Sequence, residues 1–205
     1  MPKLKLTYFD FNGGRGEANR LAMAIANIPF EDDRIPQADW PELKPSVRFQ
    51  ALPVLEVDGE KISQSNTISR YIGKLGGLYP EDPLEAARCD EVLEALEDVT
   101  NKMVPTLFMT DEDEKRKARE ALAAGPFTLY LTKLGQILED RGGEYFADGR
   151  LTIADIKVFL WVRHLRSGAL DYVPADLVDR LAPNLVGLFE RVNSNPAVIA
   201  WYEAH

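Results

Sequence analysis

The stretch from Leu52 to Ser65 constrains the fold more than any other part of this 205-residue chain. It contains an extended apolar run entered through Pro53, an Asp58-Gly59 dipeptide and a short returning run. Asp-Gly between two such runs predicts a tight hairpin, because a type I′ turn needs two residues at positive φ. Proline cannot donate to a strand ladder, so Pro53 is expected at a strand start, a sheet edge or a cis turn.

A helical pattern from Asn66 to Leu75 follows the hairpin and is closed by Gly76-Gly77. Ser65 is expected to be the N-cap of this helix. The start of a helix offers unpaired N–H groups and a partial positive charge to an anion. Beside it, the extended segment at Pro53 presents free backbone groups. Together these features suit a small peptide acid as ligand.

The residues before the hairpin alternate between strand and helix patterns. Leu4, Leu6 and Tyr8 alternate with polar residues, which predicts a strand. The first eighty residues are therefore expected to form a β-α-β unit followed by β-β-α, an α/β sandwich. Its predicted elements are a strand at 4–8, a helix at 16–27, a strand at 30–35, a one-turn segment at 38–46, the hairpin and the helix at 66–75.

After residue 79 the pattern becomes entirely helical. Two prolines in the segment 78–83 predict a linker, so the domains are expected at 1–79 and 84–205, joined by 80–83. Thr152 with Asp155 three residues later predicts a capping box, which gives Asp155 a structural role. The predicted helices are 84–104, 111–138 with a kink at Gly125-Pro126, 153–166, 177–181, 183–192 and a last turn around Trp201.

Composition excludes several classes of protein. With 24 basic and 33 acidic residues the net charge is −9, and no basic cluster is present to bind nucleic acid or an anionic membrane. A single cysteine, Cys89, allows no internal disulfide and no dithiol motif, which fits a reducing compartment. The spacing of His and Cys predicts no metal site. No signal-peptide pattern or membrane-length apolar run is present, so a cytoplasmic location is expected.

A series of motifs follows in order along almost the whole chain: Leu6-Thr7-Tyr8-Phe9, Arg15-Gly16-Glu17, Arg20-Leu21, Trp40 with Lys44, Leu52-Pro53-Val54-Leu55, Gln64-Ser65, Arg70-Tyr71 and Leu151-Thr152-Ile153-Ala154-Asp155. With these motifs the chain resembles the cytosolic glutathione transferases. It looks most like their sigma class, which includes the haematopoietic prostaglandin D synthases and the S-crystallins. Each motif alone is weak, and the ordered set carries the resemblance.

The resemblance implies a thioredoxin-like first domain that binds glutathione, an all-α second domain that helps to bind an electrophile, and a homodimer. It implies that Pro53 is cis and that the backbone of Leu52 pairs with the cysteinyl part of glutathione by strand addition. The other implied glutathione contacts are Trp40 and Lys44 for the glycyl end, Gln64 and Ser65 for the γ-glutamyl carboxylate, and Asp98 for the γ-glutamyl amine of the other subunit's glutathione.

The resemblance also implies that Tyr8 and Arg15 are the catalytic residues. A free thiol has a pKa of about 8.5, so the thiolate needs stabilisation at neutral pH. The Tyr8 hydroxyl would donate a hydrogen bond to the sulfur. Arg15 would supply a fixed positive charge that favours the thiolate and depresses the pKa of Tyr8. Each of Tyr8, Trp40 and Asp98 also has a plainer interpretation, as core, packing or a solvated carboxylate.

The electrophile pocket is predicted from apolar and long side chains of both domains. Lys157 and Trp161 are four residues apart and share one helix face. The loop 10–14 is one residue longer than in the sigma enzymes and shapes the electrophile pocket, so the electrophile stays open. Ala51 lacks the side-chain contact to glutathione that a longer residue gives, so weaker glutathione binding is expected, with the backbone pairing at Leu52 kept. The predicted pocket residues are Phe9, Phe11, Met103, Leu107, Lys157 and Trp161.

The sequence therefore predicts an enzyme that conjugates glutathione to small electrophiles, for detoxification, with glutathione as co-substrate and no metal. Two alternatives stay open. One is a glutathione-dependent isomerase of the prostaglandin D synthase type. The other is a protein without useful catalysis, such as an S-crystallin-like protein or a carrier of apolar ligands. S-crystallins typically carry a long insertion in the helical domain, and none is evident here.

Overall fold

The computed structural model describes all residues from 1 to 205. Contacts within the chain divide it into two compact units. The first unit combines Met1–Tyr79 with Asn195–His205, and the second is Pro80–Ser194. No helix of the chain combines the length and the apolar character that crossing a bilayer requires.

The first unit holds four strands and four helices, and the second unit is helical throughout. The first unit contains β1 (Leu4–Phe9), α1 (Gly14–Ile25), β2 (Glu31–Ile35), α2 (Trp40–Leu43), β3 (Val54–Val57), β4 (Glu60–Ser63), α3 (Ser65–Leu75) and α10 (Pro196–Ala204). The second unit contains α4 (Pro83–Met103), α5 (Glu112–Leu122), α6 (Thr128–Asp140), α7 (Ile153–Arg166), α8 (Leu177–Leu181) and α9 (Pro183–Asn193).

The four strands form one mixed sheet in the order β2-β1-β3-β4. β1 is parallel to β2 and antiparallel to β3, with Tyr8 opposite Arg34 and Thr7 opposite Val54. β3 and β4 form the predicted hairpin, and both of its turn residues have positive φ (49° at Asp58 and 93° at Gly59). The predicted βαβ-ββα order is confirmed.

The core of the first unit lies between the sheet and its helices. α1 packs against β1, α3 and α10, because each helix turns an apolar stripe toward its neighbours. Leu6, Leu55 and Leu21 are among the fully buried side chains of this core. The sequence predicts only a last turn near Trp201, whereas the structure has a two-turn helix, α10, capped by Asn195.

The second unit is built around α7, which packs against α4 and α9. Its apolar surface extends nearly all round, and Ile156, Phe159 and Val162 are fully buried, as expected for a central helix. The predicted interruption at Gly125-Pro126 is one π-helical turn between α5 and α6. The predicted capping box of Thr152 and Asp155 is confirmed.

Three boundaries differ from the sequence predictions for physical reasons. α4 begins inside the expected linker, at Pro83, because Asp82 accepts hydrogen bonds from the N–H groups of Leu84 and Glu85. α3 begins at Ser65 with Gln64 as its N-cap, so the prediction of Ser65 as N-cap is wrong. α10 belongs by its contacts to the first unit, whereas the predicted domain 84–205 includes it.

Candidate active site

Tyr8 lies near the end of β1 and is only 6% exposed. Its ring is on the inner side of the strand because it alternates with Leu4 and Leu6. The backbone N–H of Arg15, at the start of α1, donates a hydrogen bond to Tyr8 Oη at 3.0 Å. This bond occupies a lone pair of the oxygen, so the hydroxyl proton stays available for another acceptor.

Two opposing effects set the pKa of Tyr8. Burial raises this pKa above its ordinary value, because the phenolate would lose hydration. The N–H and the charge of Arg15 lower it, with smaller help from Gly16 and Arg20. Arg15 lowers the pKa of Tyr8, as expected, but burial is the larger effect, so the pKa is raised overall. Tyr8 is protonated at neutral pH and is therefore a donor.

Gly14 and Gly16 provide the space for the Tyr8 side chain. A Cβ atom at Gly16 would lie within 3.0 Å of Cβ, Cγ and Cδ1 of Tyr8. A Cβ atom at Gly14 would overlap Tyr8 Oη, and Gly14 also has a φ of +64°, which favours glycine. Sequence reasoning assigned no role to either glycine, although both lie in or beside the Arg15-Gly16-Glu17 motif.

Aromatic side chains surround Tyr8 within the first unit. The ring of Phe9 lies 5.3 Å from the Tyr8 ring and the ring of Phe11 lies 5.7 Å from it. Trp40, on α2, meets Phe9 edge-on at 5.5 Å. The structure thus brings these predicted residues together. Lys44 lies at the end of the same segment, in a 3-10 turn with an exposed side chain.

The predicted glutathione contacts of the hairpin region lie at the open end of the β3–β4 hairpin, where Val54 pairs with Ser63. The Leu52-Pro53 peptide bond is cis, as the resemblance implied. Leu52 lies two residues before β3, outside the ladder that begins at Val54. After β4, Gln64 is exposed and has a left-handed backbone (φ 76°), and Ser65 is buried as the first residue of α3.

Comparison with known families matches both parts of the chain. Residues 4–74 match the family model of the glutathione S-transferase N-terminal domain, and residues 97–205 match that of the C-terminal domain. The chain belongs to the glutathione S-transferase family. The co-substrate of this family is glutathione, and the transferase carries Tyr8, Leu52, Pro53, Gln64 and Ser65 on the unit that matches the N-terminal domain.

Three relatives illustrate the likeness. The transferase is 36% identical to hematopoietic prostaglandin D synthase of Gallus gallus, over 99% of this chain and 96% of that protein. It is 38% identical to glutathione S-transferase 1 of Ascaris suum, over 77% of this chain and 78% of that protein. The structure of monomeric Na-GST-3, a transferase of Necator americanus, is similar with a TM-score of 0.82, 30% identity and coverage of 99% and 97%.

The remaining predicted site residues belong to the second unit of the transferase. Met103 and Trp161 are buried there, and Trp161 packs edge-on against Phe127 at 6.1 Å. Leu107 is about half exposed, and Lys157 is partly buried on α7. The indole N–H of Trp161 has no hydrogen-bond partner.

Asp98, predicted to reach the glutathione of the other subunit, lies on an exposed part of α4. Its carboxylate faces the hydroxyl of Tyr130 on α6. Burial, together with the nearby charge of Asp98, raises the pKa of Tyr130. Within the second unit Asp98 therefore has a neighbour that orients it.

One polar depression of the second unit contains none of the predicted site residues. It has a volume of about 540 Å³ and is lined by charged residues that include Glu85, Arg88 and Arg141. Arg88 pairs with Glu85, and Arg141 pairs with Glu91 and the carbonyl of Phe146. Its cations are thus already neutralised, and we assign no activity to it.

Other chemistry-bearing residues of the transferase serve structure. Cys89 is fully buried, and burial raises the pKa of its thiol to about 11, so it stays protonated and unreactive. His164 is partly buried on α7, and burial lowers its pKa. No group of three or more His, Cys, Asp or Glu side chains is arranged to hold a metal ion.

Proposed function

We propose that this transferase conjugates reduced glutathione to small electrophiles through a thiolate that Tyr8 stabilises. The observation that carries the proposal is the buried, protonated Tyr8 hydroxyl, fixed at 3.0 Å by the backbone N–H of Arg15. A bound thiolate is a charged acceptor, and hydrogen bonds to charged acceptors are about twice as strong as neutral ones. Lowering a thiol pKa by about two units corresponds to about 2.7 kcal/mol.

In this proposal Arg15 assists Tyr8 in two ways. Its backbone N–H fixes the hydroxyl oxygen. Its positive charge lowers the pKa of Tyr8, and the same charge favours an anion close to the hydroxyl. Tyr8 and Arg15 are fixed before the electrophile arrives, so they stabilise the thiolate without having to reorganise during the reaction.

The tripeptide is proposed to lie along the edge that begins at Leu52. The backbone of Leu52 lies outside the β3 ladder, which suits pairing with the cysteinyl residue as an added strand. The start of α3 suits the γ-glutamyl carboxylate, because its first N–H groups have no partner within the helix. The proposed contacts are Leu52, Pro53, Gln64 and Ser65, with Trp40 and Lys44 for the glycyl end and Asp98 of the partner subunit.

The electrophile is proposed to meet apolar side chains. Phe9 and Phe11 support this role because their rings lie next to the Tyr8 ring and Phe11 is exposed. From the second unit, Leu107 offers exposed apolar surface and Trp161 an indole N–H without a partner. The proposed pocket is Phe9, Phe11, Met103, Leu107, Lys157 and Trp161.

Replacement Tyr8→Phe tests the mechanism, because it removes the hydroxyl and keeps the ring. We expect conjugation of a generic aryl halide at neutral pH to fall about a hundredfold, the usual cost of one preorganised donor. The ultraviolet band of bound glutathione thiolate should vanish at the same pH. Tyr172→Phe is the matched control, since its hydroxyl bonds the exposed Glu112 in the second unit. Unchanged activity and an unchanged band in Tyr8→Phe would refute the mechanism.

Likeness to a hematopoietic prostaglandin D synthase over nearly the full length favours a second candidate, a glutathione-dependent isomerase. In that reaction glutathione returns unchanged. A turnover assay with a prostaglandin endoperoxide, combined with titration of free thiol, separates the two. Product without thiol loss supports the isomerase, whereas thiol loss with aryl halides supports the transferase. Absence of glutathione binding by calorimetry would instead support a non-catalytic S-crystallin-like protein or carrier.

A homodimer is part of the proposal, and Phe49 supports it. Its side chain is 70% exposed, and both Phe49 and Gln50 have left-handed backbones (φ 57° and 48°). Such a strained loop, carrying an exposed aromatic ring, suits insertion into a partner. The similar Necator americanus protein is described as monomeric, so the state needs measurement.

Sedimentation analysis of the wild-type protein and of Phe49→Ser tests the dimer. We expect a dimer for the wild type and a weakened one for the variant. Leu129→Ser, at another exposed apolar residue on α6, is the control. A monomeric wild-type protein would contradict the proposal.

We also assign the transferase to the sigma class, with detoxification in the cytoplasm as its role. The relation to a hematopoietic prostaglandin D synthase supports the class. The single buried cysteine suits a reducing compartment. Cell fractionation followed by immunodetection checks the location, and recovery in an organelle would contradict it.

A further inference from the structure

Arg20 is fully buried on α1, and its guanidinium holds three parts of the first unit together. Nε donates to Asp32 on β2 at 2.8 Å, Nη1 to the carbonyl of Phe11 at 2.9 Å and Nη2 to the carbonyl of Phe9 at 3.1 Å. A buried charge is costly unless it is paired and hydrogen-bonded. Arg20 meets both conditions, because Asp32 pairs with it and each of its three guanidinium nitrogens donates a hydrogen bond.

The two carbonyl groups that Arg20 holds belong to the turn that follows Tyr8. The Phe9 carbonyl comes directly after Tyr8, and the Phe11 carbonyl lies before the glycines that cradle the ring. The Arg20 guanidinium carbon also lies 5.6 Å from the centroid of the Tyr8 ring, within range of a cation–π contact. One side chain thus fixes the turn and places a buried positive charge beside the ring.

Glu17 and Trp201 hold Arg20 from the other side. Glu17 is fully buried, and its Oε2 lies 3.3 Å from Arg20 Nη1. The indole Nε1 of Trp201, on α10, donates to Glu17 Oε1 at 3.0 Å. Burial raises the pKa of Glu17, while the Trp201 N–H and Arg20 lower it. The charged or titratable groups around this cluster are Arg15 on α1, Asp32 and Arg34 on β2, Asp10 in the turn, and His205, which stacks on Trp201.

We propose that Arg20 is a positioning residue for the transferase reaction, held in place by Glu17 and Trp201, and that it fixes the turn after β1 so that the Tyr8 hydroxyl faces the glutathione sulfur. This inference rests on the proposed function and deepens it. Arg20 acts through Tyr8 and does not supply the donor itself. The C-terminal helix α10 is thereby part of the support of the active site.

Replacement Arg20→Lys tests the proposal, because lysine keeps the charge and loses the planar fork. We expect the pH profile of kcat/KM, and that of the thiolate band of bound glutathione, to move about one unit toward higher pH. The conjugation rate then falls about tenfold at pH values below the thiol pKa and stays nearly unchanged above it. Glutathione affinity measured well below the thiol pKa, where the bound thiol is protonated, should change by about twofold or less, since Arg20 contacts none of the residues proposed to hold the peptide part of glutathione.

A role in folding alone would have a different signature. It would reduce the amount of active protein and scale the whole profile without moving it. Arg141→Lys is the matched control, because Arg141 also donates to a loop carbonyl, that of Phe146 at 2.6 Å, and pairs with Glu91, but in the second unit. An Arg20→Lys profile that superimposes on the wild type, or an equal shift in Arg141→Lys, overturns the proposal.

Trp201→Phe keeps the test decisive if Arg20→Lys does not fold. Phenylalanine preserves a ring beside Phe30 and His205 but cannot donate to Glu17. We expect the pH profile of Trp201→Phe to move in the same direction by a smaller amount, with a rate about threefold lower at acidic pH. The double variant with Arg20→Lys should show no further shift, because Trp201 acts only through Glu17 and Arg20. Cooperative melting with an unmoved profile overturns the proposal. A wild-type protein without conjugation or thiolate band refutes the proposed function itself, and this inference falls with it.

Discussion

At the residue scale, the position of Tyr8 depends on two neighbouring glycines, Gly14 and Gly16, which have no side chain. The ring occupies the volume that a side chain at Gly16 would fill, and the hydroxyl occupies that of a side chain at Gly14. Close packing of this kind leaves no room for even one methyl group without displacement. The ring itself is held in place by β1, so a larger residue at either glycine must move the ring or the start of α1.

Gly16→Ala is expected to reduce conjugation at least tenfold, because the added Cβ atom overlaps the Tyr8 ring and displacements of about 1 Å at a reacting group can cost a hundredfold. Gly187→Ala is the control. A Cβ atom at Gly187, also within a helix, meets nothing within 4 Å, so this change should stabilise the fold by about 0.5–1 kcal/mol. Steady-state kinetics and denaturant unfolding measure both effects. Full activity in Gly16→Ala would contradict this account of the site.

Individual contacts of Tyr8 and Arg20 could be predicted only in part from the sequence. The alternation of Leu4, Leu6 and Tyr8 predicts which side of the strand Tyr8 faces, and this is found. The pattern does not show that the backbone N–H of Arg15 reaches Tyr8 Oη, since that contact depends on how the turn folds back. Arg20 lies in the Arg20-Leu21 motif, but two of its acceptors are the backbone carbonyls of Phe9 and Phe11, and such acceptors have no sequence signature.

At the scale of elements, the hairpin and α3 follow the sequence closely. Asp58-Gly59 forms the predicted turn because both residues accept positive φ. The helix start differs by one residue, since Gln64 takes the cap position with a left-handed backbone. Glutamine rarely adopts this conformation, so no sequence rule predicts it. Such strain is concentrated at functional sites, and Gln64 is one of the proposed glutathione contacts.

The start of α7 depends on the capping box of Asp155. Its carboxylate accepts hydrogen bonds from the N–H and hydroxyl of Thr152 and from the N–H of Phe146. Asp155→Ala should lower the unfolding free energy by about 2–4 kcal/mol, because it removes a cap and leaves buried donors unpaired. Denaturant unfolding measures this. Asp82→Ala, at the exposed cap of α4, is the control, with a cost of about 1 kcal/mol. Equal losses would contradict the special role of Asp155.

The pH dependence of that loss has a definite sign. Burial raises the pKa of Asp155 to about 6, from about 3.9 in an unfolded chain. A raised carboxyl pKa contributes stability that is complete below the unfolded value and is lost as pH rises through the folded value. The cost of Asp155→Ala should therefore be larger by roughly 1–3 kcal/mol near pH 4.5 than near pH 7.5. A cost independent of pH would contradict this.

At the scale of the whole molecule, the first unit is discontinuous in sequence, because α10 joins it from the other end of the chain. The sequence predicts only one turn there. The Asn195-Pro196 pair is a sufficient signal for a helix start, since Asn195 caps the helix and proline is favoured at its first position. The local sequence pattern does not show which unit α10 packs against, because that depends on tertiary contacts.

Removal of residues 195–205 should destabilise the protein by about 3–6 kcal/mol, because Trp201 and Val198 are buried and each buried apolar side chain contributes about 1.5–3 kcal/mol. Glu17 would also lose the N–H of Trp201. Thermal and denaturant unfolding measure the effect. Removal of His205 alone should cost about 0.5–1.5 kcal/mol, because it removes only the ring that stacks on Trp201. Equal melting of the truncated and full chains would contradict the assignment of α10 to the first unit.

The contact between Glu17 and Trp201 also has a consequence for biosynthesis. The two residues are 184 positions apart, and a ribosome adding about 5–20 residues per second needs roughly 10–40 s to cover that distance. During this interval the Glu17 carboxylate lacks its indole donor. The domain that begins first is therefore completed last.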